Sequence, residues 1–446
     1  MKKFSLAIIA ASLALAAHGQ NGINSPYSRY GFGIQSERAM GFNKGMGGVA
    51  QGFRNGQQIN IANPASYSEV DSLTAIFDLG ITLQNSNYKM NNLQQNARNS
   101  SFDYFAFQFR AFKHVGMTLG VMPITNIKYN FSSVAEKLEG TENVTTSNTF
   151  NGDGGLREVF FGTGWQPFRP ISIGFNARYV WGEYTHNSAM SINQTGAFNM
   201  SRTYSGELST YSIQAGLQYI QPIGKKDKLV IGATYTFGHD VDNDAIRTTA
   251  TRNGTAVEES TSDTIKNAFQ LPQAISAGFT YYRSNTLRIG ADFELQKWAD
   301  CKFPNQQTGL DASTGSYMST TKQLYDRTKI AAGADWTPAP LSSRYFSRCT
   351  YKVGGYYSQT YAKTDLTGVV TDKPYEVGLS AGISLPIANK NAWRVRPKIN
   401  MAVQWVHTNI PYLNANSTKS TLTENYLRFC LGITFCERWF YKFKVE

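Results

Sequence analysis

The sequence predicts an all-β fold, a 14-stranded antiparallel transmembrane β-barrel with a small N-terminal hatch inside the lumen. Three observations support this: segments of strand length alternate apolar and polar residues, short and long connections alternate along the chain, and an apolar leader precedes them. The alternation is clearest over 269–300, where two alternating segments flank the polar turn 283–286. This stretch is typical of one hairpin of a barrel.

The composition favours one large β domain. The 446 residues include 13% aromatic residues, 17% charged residues and 39 glycines, and no linker is visible. The formal net charge is +12, but lysine and arginine are dispersed and form no basic run. We therefore expect no nucleic-acid partner.

The N-terminus has the pattern of a secretory signal peptide. Lys2 and Lys3 precede an apolar run over 4–17, and small residues follow near Gly19, so we assign 1–19 to the signal. No later apolar run approaches the roughly 18 residues of a membrane helix. Any span must then be a strand, which predicts the outer membrane of a Gram-negative bacterium, with outer-membrane lipid and lipopolysaccharide as surroundings.

The chain divides into four parts. We expect a hatch over 20–72, a barrel over 73–436 and a basic aromatic periplasmic tail over 437–446. An aromatic belt at the inner rim and a docking tail for a periplasmic partner are both compatible with the tail. The fourteen strands are expected near 73–84, 102–113, 116–130, 155–167, 171–186, 205–222, 228–239, 269–282, 286–299, 324–337, 346–361, 374–387, 393–407 and 423–436. An even number of strands is what a closed single-chain bacterial barrel requires.

The strands have one apolar and one polar face. Charged side chains on a lipid face are costly, so the apolar face must point outward and the charged face must line the lumen. Such a lining suits a barrel that grips a polar plug. The expected lumen charges are Arg288, Asp292, Glu294, Asp335, Arg394, Arg396, Lys398 and Arg428.

Three short motifs resemble those of the FadL-type (OmpP1/FadL/TodX) outer-membrane transporters. The first runs from Leu271-Pro272 through Ala277-Gly278-Phe279 and Ala291-Asp292-Phe293-Glu294 to Trp298. The second is Asn63-Pro64-Ala65, which follows a glycine-rich segment that includes Gly47 and Gly48. The third is Val121-Met122-Pro123 in the third strand.

The resemblance implies a hatch built around Gly47, Gly48, Asn63, Pro64 and Ala65, and a lateral gate at Pro123. It also implies a hydrophobic ligand that leaves sideways into the membrane. A proline without an N–H group breaks a ladder bond, and an ordinary bulge at Pro123 is the alternative interpretation. The chain departs from the family in having Leu295 where tryptophan is common, Ile124-Thr125 after the proline, and polar outer loops.

Two functions follow. The first is passive uptake of hydrophobic, fatty-acid-like small molecules with lateral release. The alternative is a non-transporting barrel subunit of an outer-membrane protein secretion or assembly complex, with an outer-membrane or periplasmic protein partner, which the polar loops and the tail favour.

No enzyme, cofactor or metal site is predicted. The five histidines are scattered, and no catalytic grouping is visible. Asp240, Asp242 and Asp244 have the spacing of calcium ligands, but Ala245 stands where such a loop needs glycine. We expect four free thiols, because Cys430 and Cys436 lie about 20 Å apart on one strand, beyond disulfide reach.

Overall fold

The computed structural model describes residues 24–90, 93–132, 136–137, 144–194, 196–253, 256–305, 317–364, 370–387, 397–413 and 419–438. Fourteen long strands pair in antiparallel order, and the first strand pairs with the last along its whole length. The predicted closed 14-stranded barrel is therefore confirmed.

The barrel strands are named β1 to β14. They are β1 (Thr74–Met90), β2 (Leu93–Phe112), β3 (Val115–Pro123, resuming as Thr125–Ser132), β4 (Thr145–Phe168), β5 (Ile171–Ile192), β6 (Asn199–Ile223), β7 (Asp227–Thr236), β8 (Ala274–Arg283), β9 (Leu287–Gln296), β10 (Arg327–Trp336), β11 (Thr350–Gln359), β12 (Tyr375–Pro386), β13 (Lys398–Leu413) and β14 (Lys419–Arg438).

Smaller elements lie in the N-terminal segment and the connections. Short strands span Ile34–Gln35, Glu136–Lys137, His239–Val241, Ala245–Asn253, Ala256–Ile265, Phe269–Leu271, Phe303–Pro304 and Ser319–Thr320. Three 3-10 helices span Pro26–Arg29, Lys44–Met46 and Pro64–Glu69, and one α-helical turn spans Tyr345–Arg348. Within the described ranges, no helix has both the length and the apolar character needed to cross a membrane.

The two faces of the strands differ as predicted. On β14, Cys430, Thr434 and Cys436 are buried inside, whereas Phe429 is 49% exposed on the outside. Large apolar side chains cover the outer face elsewhere, for example Ile231, Phe279, Ile330, Val353 and Leu379. An apolar outer face on a closed barrel is the outer-membrane arrangement, and the predicted location is confirmed.

Several strands extend further than the alternation predicted. Strands β1, β2, β4, β5 and β6 continue at their outer ends, and Ala245–Asn253 pairs with both β6 and Ala256–Ile265 in an outer three-stranded sheet. These extensions are rich in polar residues, so the period of two that marks a half-buried strand is weak in the sequence. Residues 439–446, most of the expected tail, lie outside the described residues.

All four cysteines are free and buried.

Candidate functional site

Residues 24–72, here the N-terminal segment, pack against inward-facing residues all round the barrel. Glycines on β3, β4, β5, β7, β10 to β12 and β14 approach the backbone of this segment closely, and Gly216 on β6 approaches the side chains of Asn63 and Pro64. A Cβ atom on Gly174 would lie 2.2 Å from the carbonyl carbon of Pro64, and one on Gly354 would lie 2.2 Å from that of Met46. No side chain fits at these points, so the wall and the segment are shaped to each other.

Asn63-Pro64-Ala65 begins the 3-10 helix Pro64–Glu69. Asn63 is extended, with φ −131° and ψ 105°, as the residue before a proline must usually be. Its Oδ1 accepts from the Ala65 N–H at 3.1 Å, and its Nδ2 donates to the carbonyls of Gln51 at 3.0 Å and Leu217 at 3.2 Å. The motif thus links two parts of the segment to strand β6.

Gly47 and Gly48 form a left-handed turn after the helix Lys44–Met46. Their φ angles are +67° and +85°, which residues with a Cβ adopt rarely. The Gly47 N–H donates to Ser380 Oγ at 2.9 Å. The turn is thereby fixed to strand β12.

Arg54 is the most densely bonded side chain of the segment, and sequence reasoning missed it. Its side chain has no exposed surface. The guanidinium donates to Gln218 Oε1 at 3.1 Å, to Ser68 Oγ at 3.0 Å and to Glu69 Oε2 at 2.8 Å. The Arg54 N–H donates to Tyr282 Oη at 2.6 Å, so this one residue joins the segment to β6 and β8.

Ion pairs also connect the segment to the wall. Lys44 Nζ lies 2.5 Å from Asp103 Oδ2, and Arg38 Nη2 lies 3.0 Å from Glu158 Oε2. Lys329 Nζ lies 3.9 Å from Glu37 Oε1. As with Arg54, the sequence did not predict that these charged residues of the segment form contacts. The segment has no repeating pattern of residues that would show which side chains face the wall.

Burial and neighbouring charge act in opposite directions on two of these groups. Burial alone would raise the pKa of Glu37, but Lys329, Lys44 and Arg428 outweigh it and hold the pKa below its ordinary value. Burial alone would lower the pKa of Lys44, but the Asp103 carboxylate raises it above its ordinary value. Both residues are therefore charged at neutral pH.

The predicted lumen charges on β9 and β10 contact either the wall or the N-terminal segment. Arg288 on β9 forms its ion pair with Asp335 on β10, and Glu294 lies 3.3 Å from Arg327. Asp292 does contact the segment, since its Oδ2 accepts from the N–H groups of Ala50 at 2.5 Å and Gln51 at 2.9 Å.

Of the remaining four, the structure describes Arg428 on β14 and Lys398 on β13. Arg428 donates to Gln84 Oε1 at 2.8 Å. Lys398 begins β13 on the lumen side, where every second residue from Asn400 onward is buried. Arg394 and Arg396 lie outside the described residues.

A break in the wall lies beside Pro123. The ladder between β2 and β3 ends at the pair Phe105 and Val121. Among the described residues, no ladder joins the outer halves of these two strands. The outer half of β2 pairs with β1, and the outer half of β3 pairs with β4. Sequence reasoning predicted one continuous third strand, but it is interrupted at Ile124.

On its other side, β3 remains hydrogen-bonded to β4 at the position of the break. The Ile124 N–H donates to the Leu156 carbonyl at 2.7 Å, and the Leu156 N–H donates to Thr125 Oγ1 at 3.0 Å. Gly154 and Gly155 on β4 have φ angles of +128° and +129°, conformations that β-strands with side chains avoid. The distortion of β3 is thus matched by glycines in β4, and the opening is confined to the side of β2.

The N-terminal segment fills part of this opening. Ile34 and Gln35 pair with Asn126 and Thr125 in antiparallel register, and the Ser36 N–H donates to the Ile124 carbonyl at 2.8 Å. The segment therefore replaces β2 as a partner of β3 over a few residues.

A cavity of about 160 Å³ lies behind the break, between the segment and the wall. Its apolar lining includes Ile124, Leu156, Val180, Leu271 and Trp298. Its charged lining includes Glu37, Arg38, Glu158, Arg178, Arg327 and Lys329. The cavity is therefore amphipathic, and its charges are arranged as ion pairs.

The aspartate run in the outer loop is engaged by protein groups. Asp240 lies 3.5 Å from Lys302, and Asp244 Oδ1 accepts from the Asn267 N–H at 3.2 Å. Over the described ranges, no group of three or more histidine, cysteine, aspartate or glutamate side chains is placed to hold a metal ion.

Solved outer-membrane channels share this fold. A FadL homologue of Pseudomonas aeruginosa is 12% identical, with a TM-score of 0.59, over 91% of this chain and 99% of that one. The toluene transporter TbuX of Ralstonia pickettii is 14% identical, with a TM-score of 0.55, over 90% and 98%. The monoaromatic hydrocarbon channel CymD is 14% identical, with a TM-score of 0.58, over 90% and 98%. At these identities the likeness establishes the fold, and it confirms the structural resemblance to FadL-type barrels.

No curated protein matches the sequence. The family model described as BamG matches residues 1–446, the whole of the sequence. The chain therefore belongs to the BamG family.

Proposed function

We propose that the barrel takes up small hydrophobic molecules passively and releases them sideways into the outer membrane between β2 and β3. The observation that carries this proposal is the end of the β2 and β3 ladder at Phe105 and Val121, with an internal cavity directly behind it. A hydrophobic molecule that leaves through the wall enters lipid without crossing water, which is its favourable route.

The cavity supports a ligand of modest size. Its apolar wall, which includes Leu156, Val180 and Trp298, offers a surface for a ring or a short chain. The charges opposite are already neutralised, as between Arg38 and Glu158, so a ligand need not supply a counter-charge. The relatives described as hydrocarbon and toluene channels make a monoaromatic hydrocarbon the first ligand to test.

Release through the wall requires the N-terminal segment to move. Gln35 lies opposite Thr125, and the pair Ile34 and Asn126 adds a second rung. Ser25 and Ser28 also bond to the backbone of Lys128, and Asn126 donates to Ser36 Oγ at 2.9 Å. All of these hydrogen bonds must break and reform during release, and each contributes about 1 kcal/mol net.

A reversible disulfide tests this step. Gln35→Cys with Thr125→Cys would fix the segment across the opening when oxidised. We expect oxidation to stop uptake of labelled toluene by cells that express the variant, and reduction to restore it. Thr328→Cys with Gln359→Cys, at facing positions of β10 and β11, is the matched control and should leave uptake unchanged. Uptake no faster than in cells without the protein would exclude the transport function.

A second function is favoured by a different observation. The N-terminal segment is held by ion pairs and side-chain hydrogen bonds, such as the ion pair of Lys44 with Asp103 and the hydrogen bond from Arg54 to Gln218. A lumen filled in this way suits a barrel that serves as a non-transporting subunit of an outer-membrane protein secretion or assembly complex. The family designation BamG is in keeping with this role.

Affinity purification in mild detergent distinguishes the two. A non-transporting subunit would carry outer-membrane or periplasmic proteins in stoichiometric amounts and show no toluene uptake. A transporter would purify alone and retain uptake.

A further inference from the structure

Two lysines on the outer rim of the barrel converge on one aromatic ring. Lys363 Nζ lies 5.7 Å from the centre of the Tyr325 ring, and Lys373 Nζ lies 5.4 Å from it. Lys363 Nζ also donates to the backbone carbonyl of Lys322 at 3.5 Å, so the backbone of a third lysine lies beside the pair. We propose that Tyr325, Lys363 and Lys373 form a binding site for the phosphate groups of lipopolysaccharide in the outer leaflet.

The two ammonium groups repel each other unless an anion lies between them. Their nitrogens lie 5.7 and 5.4 Å from one ring centre and are therefore at most about 11 Å apart, so the repulsion is strongest at low ionic strength. Each gains from the face of the ring, but that gain does not neutralise the charge. An anion held by both would do so.

The carboxylates that the structure describes beside the pair are engaged elsewhere. In the part of the chain that the structure describes, neither Lys363 nor Lys373 has a carboxylate within ion-pair distance. Asp372 is paired with Lys419, and Asp326 accepts from the Ala299 N–H at 2.9 Å. Within the described residues, the positive charge of the pair is therefore not balanced by a carboxylate.

The position of the pair selects the ligand. Tyr357 and Tyr375 stack on each other at 6.0 Å near the outer ends of β11 and β12, and Tyr357 is 43% exposed, as expected for an outer aromatic belt. Lys373 is two residues before Tyr375, and Lys363 lies just beyond the end of β11, so both reach above this belt. The lipid headgroups at that height in the outer leaflet are the phosphorylated sugars of lipopolysaccharide.

The chemistry of the groups fits phosphate. Lysine ammonium groups bind phosphate oxygens as point charges, and two of them from separate connections can share one phosphate or hold two on the same lipid. The Tyr325 ring holds both ammonium groups near it by cation–π contacts.

Lipid binding by the full-length protein in detergent tests the site. The probes are diphosphorylated rough lipopolysaccharide, the same lipid after removal of its phosphates, phosphatidylglycerol and inorganic phosphate, with bound lipid measured by native mass spectrometry. We expect the wild type to prefer the phosphorylated lipopolysaccharide, and Lys363→Ala with Lys373→Ala to weaken its binding roughly tenfold. Lys363→Arg with Lys373→Arg should keep most of the affinity.

The periplasmic turn supplies a matched control. Lys225→Ala with Lys226→Ala removes the same charge from the opposite end of the barrel and should leave binding unchanged. Heat-modifiable migration on gels would verify that every variant is folded. Equal losses in the two alanine pairs, unchanged binding in the rim pair, or saturation of the site by inorganic phosphate without preference for lipopolysaccharide would each overturn the proposal.

Discussion

Lys44 of the N-terminal segment and Asp103 of β2 form an ion pair of 2.5 Å inside the barrel, with side chains that are only 6% and 13% exposed. Thr82 joins the pair, since it accepts from Lys44 Nζ at 2.9 Å and donates to Asp103 Oδ2 at 2.6 Å. Asp103 reaches the lumen because β2 has a bulge there: Gly80 faces Tyr104, whereas Ile81 faces Phe102. The extra residue in the bulge turns its side chain inward.

Removal of this carboxylate should loosen the N-terminal segment. Asp103→Ala leaves the Lys44 ammonium buried without a counter-charge, which typically costs about 3–5 kcal/mol. We expect faster proteolysis of the segment in the detergent-solubilised protein and a lower unfolding temperature.

The double variant Lys44→Met with Asp103→Leu is the control. It removes both charges and fills their space, so stability should return close to that of the wild type. A single variant as stable as the wild type would contradict the account of the pair as a clamp.

The inward orientation of Asp103 at this bulge could not be predicted from the sequence. Alternation predicted the number of strands and the lipid-facing side, because burial of one face imposes a period of two. A bulge inserts one residue and so reverses which residues face inward. No residue pattern around Asp103 indicates the bulge. The interruption at Ile124 was predicted only in part. Pro123 indicated that a ladder hydrogen bond is missing, but not which neighbouring strand would stop pairing with β3.

The N-terminal segment was predicted as a unit but not in its contacts. Its irregular backbone has no repeating face, so Arg54 and Lys44 could not be distinguished from solvated residues. The Asn63-Pro64 motif was visible because proline and asparagine restrict the backbone locally. Contacts between the segment and distant strands depend on the closed barrel.

Adjacent glycines on β11 allow a paired test of the fit between wall and segment. Gly354 faces Met46, and a Cβ there would meet the Met46 carbonyl carbon at 2.2 Å and the Gly47 nitrogen at 2.5 Å. Gly354→Ala should cost about 1–3 kcal/mol through overpacking and increase hydrogen exchange of the segment.

Gly355→Ala is the matched control. A Cβ at Gly355 would meet nothing closer than 3.1 Å, so the same change one residue away should have little effect. Equal effects of the two substitutions would show that intrinsic strand stability, not contact with the segment, is being measured.

Acid should loosen the segment near Glu37. The pKa of Glu37 is held below its ordinary value by Lys329, Lys44 and Arg428, against the opposing effect of burial. A lowered folded-state pKa contributes stability above the unfolded value of about 4.5, and this is lost as the pH falls through the folded value. Proteolysis or hydrogen exchange of the segment should therefore rise below about pH 4.5.

Glu37→Gln isolates this contribution. The variant cannot lose a charge at this position, so its segment should be looser at neutral pH and should respond less to acid. An acid response as large as that of the wild type would assign the effect to other carboxylates.

The N-terminal segment should also seal the barrel against ions. The charges that line the lumen are engaged, as Arg288 is with Asp335 and Asp292 is with the N–H groups of Ala50 and Gln51. We expect the segment between them to exclude a continuous water path, and the wild type therefore to give almost no conductance in planar bilayers. Deletion of residues 24–62 should open steady ion flow, because the charged wall would then line water.

Arg54→Ala should give an intermediate result of brief openings, since it removes bonds to Gln218, Ser68 and Glu69 but leaves the rest of the segment in place. Asp263→Ala, which removes an exposed charge from an outer strand, is a control that should stay closed. A wild type that conducts like an open porin and is unchanged by the deletion would show that the segment is not a plug.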